Sequence, residues 1–354
     1  MPVTLSPGGE TVFMAKKPTD EILVGTKDGV VRLKRNGAKW QNAGSWLAGK
    51  HVHAILVEPN SGLILVGLNQ GSIVASADSG KTWSARDKGL VDVTDIYCFA
   101  ANQVNGKTRI FVGTEPAHLF YSDDLGQSWS ELAAMRSVDM SKWVFPGPPF
   151  VAHVKNIAFH PRDANTMFVS IEQGGLLKTT DGGKSFSYLR GVDDDVHRAV
   201  VDPVNPDRIY VPGGNGTYIT QDGGKNWEHR MTIRHETGGY PDFMVAHPRQ
   251  RDLVFIAAAE QEPGQWMKTK FARSRISKSS DGGRSWTILK NGLPERLKSA
   301  FEAMSLEDRG DSFGIYAATT SGEVFASEDG GATWAEIANG LPAVTKGSHD
   351  FLLA

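Results

Sequence analysis

The sequence predicts an all-β fold, a single seven-bladed β-propeller of four-stranded antiparallel blades with Asp-box turns. Three observations predict it: an eight-residue motif recurs along the chain, its copies are regularly spaced, and short strand-like segments with turn residues lie between them. Repeats of this length that contain several strands are typical of propellers, in which each repeat forms one blade. One ring of this kind accounts for all 354 residues, so we expect a single domain over 1–354.

The repeated motif reads Ser/Thr-x-Asp-x-Gly-x-x-Trp/Phe. An Asp followed by Gly favours a tight hairpin, because Asp bonds nearby backbone amides and Gly adopts positive φ. The closing aromatic residues follow one another at intervals of 41 to 59 residues, counting an eroded copy that keeps Gly37 and Trp40. We therefore predict that the Asp residues are structural. The six intact copies begin at Ser76, Ser122, Thr179, Thr220, Ser279 and Ser327.

The blades are expected at approximately residues 10–46, 50–88, 94–134, 153–190, 196–229, 241–290 and 300–338. Two alternatives remain for the closure of the ring. Blade 1 has an inner strand of its own at 11–17, or the tail at 345–354 supplies an inner strand beside it, since the tail resembles the start of blade 6.

The six motifs resemble the Asp-box (BNR, bacterial neuraminidase) repeats of sialidases, sortilin-type receptors, two-propeller xyloglucanases and photosystem II assembly factors. The resemblance covers almost the whole chain and implies the propeller fold, with the boxes on the face away from any active site. Sialidase activity is not favoured, because the chain lacks an N-terminal Arg-Ile-Pro and an evident set of three arginines. Xyloglucanases use a cleft between two propellers, and the assembly factors are exported and carry a basic patch.

Composition narrows the classes of partner. A formal net charge of -2 with no basic run argues against nucleic acid. No apolar stretch approaches the roughly 20 residues that span a membrane, and the N-terminus lacks the pattern of an export signal. The single Cys98 has no intramolecular disulfide partner. We therefore expect a cytoplasmic protein, whose oligomeric state the sequence does not indicate.

Three long insertions, at 132–152, 229–241 and 259–274, are predicted to emerge on the same face of the ring, where rigid scaffolds usually carry their sites. On that face, aligned positions at the start of the inner strands collect histidines and carboxylates around the channel mouth. Imidazole with carboxylate suits a divalent metal or general acid and base chemistry. The candidate catalytic residues are His53, His197, Asp242, Glu302 and Tyr240. The candidate metal ligands, for Zn, Fe, Mn or Ni, are His51, His53, His153, His197 and Asp95. The candidate substrate-binding residues are Lys155, Arg198, Arg234, Trp143 and Trp266.

These residues predict a hydrolase or lyase that acts on a small anionic or aromatic substrate at the loop-rich face, with or without a metal. A different class of function is kept as the alternative: a non-catalytic scaffold that binds a protein or a glycan. The scaffold predicts exposed apolar loop residues around Trp143 and Trp266 and histidines too far apart to share one ligand. A sialidase-like glycoside hydrolase is the third reading.

Overall fold

The computed structural model describes residues 1–104, 106–147, 149–295, 297–347 and 349–354. Within these residues seven sheets of four or five strands form the blades of one ring, which confirms the predicted seven-bladed propeller. In each blade the strands from the second outward are antiparallel, and consecutive strands are neighbours.

The strands of the first four blades follow one another in chain order, apart from the N-terminal ones. Blade 1 contains β1 (Val3–Leu5), β3 (Glu21–Thr26), β4 (Gly29–Asn36) and β5 (Lys39–Trp46). Blade 2 contains β6 (Val52–Val57), β7 (Ile64–Leu68), β8 (Ile73–Ser76) and β9 (Ser84–Ala85). Blade 3 contains β10 (Asp95–Val104), β11 (Lys107–Glu115), β12 (Leu119–Ser122) and β13 (Ser130–Glu131). Blade 4 contains β14 (His153–His160), β15 (Asp163–Glu172), β16 (Gly175–Thr179) and β17 (Ser187–Tyr188).

The last three blades include the only five-stranded sheet among the described residues. Blade 5 contains β18 (Val200–Val201), β19 (Ile209–Gly213), β20 (Gly216–Thr220) and β21 (Glu228–Thr232). Blade 6 contains β22 (Tyr240–Ala246), β23 (Val254–Ala259), β24 (Arg275–Ser279) and β25 (Thr287–Ile288). Blade 7 contains β26 (Phe301–Asp308), β27 (Phe313–Thr319), β28 (Val324–Ser327) and β29 (Ala335–Ala338), with β2 (Val12–Met14) added inside β26.

The Asp-box turns have the structural role that the motif predicts. In the first box the Ser76 hydroxyl donates to Asp78 at 2.8 Å and accepts the Gly80 amide at 2.8 Å. The Asp78 carboxylate also accepts the amide and the hydroxyl of Thr82, at 2.9 and 2.7 Å. These hydrogen bonds lower the pKa of Asp78 to about 2. Because both oxygens of the Asp78 carboxylate accept hydrogen bonds within the turn, the box has a structural and not a catalytic role. The other five boxes repeat the Ser/Thr to Asp bond.

The N-terminal residues close the ring, and neither predicted alternative is correct. β1 pairs in parallel with β3 of blade 1, whereas β2, which falls inside the predicted strand 11–17, pairs in parallel with β26 of blade 7. The tail forms helix α2 (His349–Leu353) instead of an inner strand. One apolar cluster joins the two blades, because Leu5 and Phe13 pack with residues of both.

Residues 3–14 form a strand–turn–strand segment whose strands pair with blades 1 and 7 and not with each other; we call it the N-terminal hairpin. It fills part of the central channel. Between β1 and β2 the chain turns at Gly8, whose amide donates to the carbonyl of His53 at 2.8 Å and whose carbonyl accepts the Phe99 amide at 2.9 Å. Residues 3–9 are buried. This segment therefore fills the channel beside blades 1, 2 and 7 and touches the inner strand of blade 3.

Two helices lie on the face opposite the boxes, which we call the loop-rich face. The insertion of blade 6 forms helix α1 (Pro263–Thr269), which contacts α2, and the insertion before blade 4 begins with a 3-10 helix (Ala133–Ser137). Trp266 of α1 is fully buried in an apolar cluster with Leu353 of α2. Together α1 and α2 form a lid over the channel mouth. In the described part of the chain, no helix has the length and apolar character to cross a lipid bilayer.

Candidate functional site: the channel mouth

The inner strands of five blades carry a β-bulge at the same level of the channel. Such a bulge inserts one extra residue and re-aims its side chain. The sequence alignment predicts His53, Lys155, Asp242 and Glu302 at the channel mouth, and these are the bulge residues of blades 2, 4, 6 and 7. In blade 3 the alignment predicts Asp95, but the bulge falls at Tyr97. The turn after the inner strand of blade 3 has no proline to fix the alignment, which places Asp95 two residues too early. The residues at the register shift are His53, Tyr97, Lys155, Asp242 and Glu302.

Several bulge residues meet in one buried network of ionisable groups. Lys155 donates to Glu172 at 2.5 Å and lies 3.6 Å from Asp242. His153 donates to the other oxygen of Glu172 at 2.6 Å. Lys346 forms an ion pair with Asp242. The side chains of these five residues are at most 7% exposed, so the predicted residues His153, Lys155 and Asp242 do lie together.

The C-terminal tail supplies a second part of this network. The amide of Lys346 donates to Glu302 at 2.9 Å, and His349 bonds the same carboxylate. His51 donates to the carbonyl of Thr345 at 2.9 Å. Glu302 is fully buried, and its carboxylate is paired with groups of the tail. Lys346 and His349 of the tail therefore occupy the channel mouth and bind the carboxylates there.

Charge in the network sets the pKa values of its members. Burial favours the neutral form of each carboxylate, but Lys155 and Lys346 hold the pKa of Glu172 well below its ordinary value. Lys346 and Lys155 likewise lower the pKa of Asp242 against the effect of burial. Burial opposes the charged form of His153, but its hydrogen bonds with carboxylates raise its pKa. Glu172 and Asp242 are therefore ionised, and Lys155 and Lys346 balance their charges.

His53 belongs to an aromatic stack and not to the charged network. Its ring contacts His51 and Tyr97, with centroids 4.5 and 5.2 Å apart, and Tyr97 stacks on His153 at 3.8 Å. Burial, together with the nearby charges of His51 and His153, lowers the pKa of His53 to about 3. A neutral, fully buried imidazole of this kind contributes mainly to packing.

His197 and Tyr240 lie on the other side of the channel mouth, beneath the lid. His197 donates through Nδ1 to the carbonyl of Pro241 at 2.7 Å, and its ring contacts Tyr240 with centroids 4.7 Å apart. Tyr240 in turn contacts Trp266 of the lid at 5.9 Å. Trp266 was predicted to bind substrate, but its ring is buried between Tyr240 and His349.

Four predicted residues lie apart from the network. Asp95 is half-buried and accepts the Gln70 amide at 2.7 Å. Arg234 is exposed in the loop before blade 6. Trp143 lines a separate cavity beside blade 4, and Arg198 lines a cavity on the box side of the channel.

Glu172 and Lys346 were missed by reasoning from sequence. Glu172 is the last residue of β15 and Glu115 is the last residue of β11, where its carboxylate lies 3.3 Å from His153. A comparison of the second strands of the blades, in addition to the first, would have found both glutamates. Lys346 has no equivalent in other blades, so no repeat-based signal points to it.

One cluster among the described residues has the spacing of a metal site. Glu172, Asp195 and His197 offer ligand atoms that all lie within 4.8 Å of one another. Of the predicted ligands only His197 belongs to it; His51, His53, His153 and Asp95 do not. Asp195 Oδ1 and His197 Nε2 lie 3.4 Å apart, and both are buried without a hydrogen-bond partner in the described residues. The fit to a cation is partial, because the Lys155 ammonium already contacts Glu172.

Comparison with known families agrees with the repeats. The model of the BNR/Asp-box repeat matches residues 120–131, and the model described as sortilin, neurotensin receptor 3, matches residues 174–312. With the seven blades and their six box turns, these matches place the chain in the Asp-box repeat β-propeller superfamily.

Individual relatives are distant. Vacuolar protein sorting/targeting protein 10 of Aspergillus flavus is 25% identical over 179 residues, 46% of this chain and 11% of that protein. The GH74 xyloglucanase from Xanthomonas campestris superposes with a TM-score of 0.68 at 14% identity, over 96% of this chain and 56% of that one. YCF48 from Cyanidioschyzon merolae has a TM-score of 0.56 at 14% identity, over 88% of this chain and 97% of that one. At these identities the structural likenesses show the fold alone, and the chain spans about a tenth of its curated relatives.

Proposed function

We propose that this chain is a binding protein that docks a polypeptide partner on its loop-rich face. The supporting observation is the distribution of large apolar side chains that are exposed. Of nine such residues in the described part of the chain, two, Met1 and Met14, lie on the box side. Concentrated exposed apolar residues mark interaction surfaces. The other seven lie in loops or helices of the loop-rich face: Val91, Met140, Val144, Phe150, Ile233, Met267 and Phe351.

A cavity beside these residues offers a preformed pocket. It has a volume of about 350 Å³ and lies between the insertion 132–152 and blade 4, with Lys142 and Arg190 on its walls. Trp143 donates to the Tyr188 hydroxyl at 2.7 Å, and this hydroxyl donates to the carbonyl of Asp139 at 2.6 Å. Because these bonds fix the aromatic wall, little side-chain entropy is lost when a partner side chain enters. Asp139 and Asp194 lie on the same walls, so the charges of the pocket balance and its aromatic wall is the main attraction for a partner side chain.

Binding is better supported than the predicted hydrolase or lyase, because the candidate catalytic carboxylates Asp242 and Glu302 are already paired with Lys346 and His349 of the tail. His53, His197 and Glu302 are at most 1% exposed, and lid and tail cover the mouth above them. A small substrate would have to displace the tail first. The fungal relative is named as a protein of vacuolar sorting and targeting, which is in keeping with a binding role.

Selection of peptides against the wild-type protein tests the proposal. A random peptide library displayed on phage is selected, and enriched peptides are synthesised and titrated. We expect the double variant Val144→Asp/Phe150→Asp to weaken their binding about 30-fold or more, the loss expected when a central anchor worth about 2 kcal/mol is removed.

Met14→Asp is the matched control, because Met14 and Phe150 are equally exposed, at 58%, on opposite faces. This variant should bind the peptides as the wild type does. Peptides that bind the double variant and the wild type equally well would contradict the proposal.

A second candidate function, metal-assisted hydrolysis at the channel mouth, is favoured by the unpartnered atoms of Asp195 and His197. With Glu172 they could hold a divalent ion, which would supply a water of lowered pKa. Elemental analysis of protein purified without chelator tests it. Near-stoichiometric zinc, iron, manganese or nickel that is lost in His197→Gln would support this function. Metal-free protein whose stability is unchanged by zinc would exclude it.

A further inference from the structure

A cavity of about 300 Å³ lies inside the channel on the side of the boxes, away from the proposed docking face. The N-terminal hairpin forms one wall at residues 9–12, and the inner strands of blades 3 and 4 form the opposite wall at 99–101 and 156–159. The strands of the hairpin pair with blades 1 and 7, and its turn at Gly8 bonds the inner strands of blades 2 and 3 at His53 and Phe99. Beyond this turn a space remains between the hairpin and blades 3 to 5 on the side of the boxes, and Arg198 of blade 5 lines it.

Arg198 is a buried cation that forms no direct ion pair among the described residues, and the nearest carboxylate that acts on its pKa, Asp242, is already paired with Lys346. Arg198 is 6% exposed, and its Nε is buried with no hydrogen-bond partner in the described residues. Its guanidinium carbon lies 4.4 Å from the centroid of the Phe243 ring. Burial lowers the pKa of Arg198 to about 10, so the side chain is still charged at neutral pH.

The aromatic contact does not balance this burial. A cation–π contact contributes about 0.5–2 kcal/mol, whereas the loss of water around a buried ion costs several kcal/mol. Other buried arginines of this chain have carboxylate partners: Arg208 pairs with Asp202 at 3.3 Å, and Arg309 pairs with Glu307 at 2.7 Å. Arg198 therefore lacks the direct carboxylate partner that Arg208 and Arg309 have.

We propose that Arg198 and this cavity form a binding site for a small anion of the carboxylate or phosphate class. The planar guanidinium matches the two oxygens of such an anion with parallel N–H donors. The ring of Phe243 covers one face of the guanidinium and leaves its edge for the ligand. Glu10 lies on the wall of the same cavity and repels an anion when ionised. The site is independent of the proposed partner binding, because it opens on the opposite face.

Thermal unfolding of the full chain in matched salts tests the site. Sodium phosphate and sodium acetate are each compared with sodium chloride at equal ionic strength. We expect at least one of the two to raise the unfolding midpoint of the wild type by about 2 °C at tenfold excess over its Kd. The shift should vanish in Arg198→Gln and be as large or larger in Glu10→Gln. Arg198→Lys keeps the charge but loses the two parallel N–H donors of the guanidinium, so the anion should raise its unfolding midpoint less.

Arg251→Gln serves as the control, because the Arg251 side chain is 68% exposed. It should respond as the wild type does. Two outcomes overturn the proposal: neither anion stabilises the wild type beyond chloride, or Arg198→Gln and Arg198→Lys are both stabilised as much as the wild type. A structural role of Arg198 alone would change the midpoint in chloride without removing a difference between anions.

Discussion

Glu172 is the residue on which the charges of the channel mouth converge. Its two oxygens accept from Lys155 at 2.5 Å and His153 at 2.6 Å, and it is 4% exposed. Replacing one partner of a buried pair leaves the other charge without compensation, which costs more than the pair itself contributes. The stability of the mouth therefore depends on this carboxylate more than on any histidine that the sequence singled out.

We predict that Glu172→Gln lowers the free energy of unfolding at pH 7 by about 3–5 kcal/mol, measured by urea denaturation. Because the folded-state pKa of Glu172 lies below its ordinary value of 4.5, its contribution is complete above that pH and is lost as the pH falls. The difference between variant and wild type should therefore shrink in acid. Glu260→Gln is the control, since Glu260 is 39% exposed and pairs with Arg275 at the surface; it should cost less than about 1 kcal/mol. Equal losses in the two variants would contradict the prediction.

The N-terminal hairpin is the element that decides how the ring closes. Its two three-residue strands are too short to be stable alone, yet they complete blades 1 and 7 through parallel pairing. The turn between them fits the channel closely. A Cβ at Gly8 would lie 1.8 Å from the carbonyl oxygen of Tyr97.

We predict that Gly8→Ala destabilises the protein by about 1–3 kcal/mol, the usual cost of an added methyl in a packed interior. Hydrogen exchange should show lost protection at the amides of β1 and β2, while the outer strands stay protected. Gly264→Ala in α1 is the matched control, because a Cβ there meets no atom within 4 Å. Normal protection of both N-terminal strands in Gly8→Ala would show that the turn tolerates the change and would contradict the prediction.

At the scale of the whole molecule, the sequence predicted what depends on local chemistry. Fold class and blade number follow from the Asp-Gly turns, and the channel-facing position of Lys155, Asp242 and Glu302 follows from repeat alignment. Closure by the N-terminus was not predictable in this way, because the register of β1 and β2 is set by packing between the first and last blades. The same holds for Lys346, which reaches the network from a non-repeating tail. The pairing of Asp242 and Glu302 with Lys346 and His349 is visible only in the folded ring, where the tail reaches the inner strands.

The contact of the N-terminal strands with blade 7 has a consequence for biosynthesis. Thr4 and Ser305, which are joined by a hydrogen bond, are 301 residues apart in the chain. The ribosome therefore makes Thr4 long before it reaches Ser305. During that interval the first strands have no complete surface to pair with, so the nascent ring stays an open arc whose apolar seam is exposed to chaperones until blade 7 emerges.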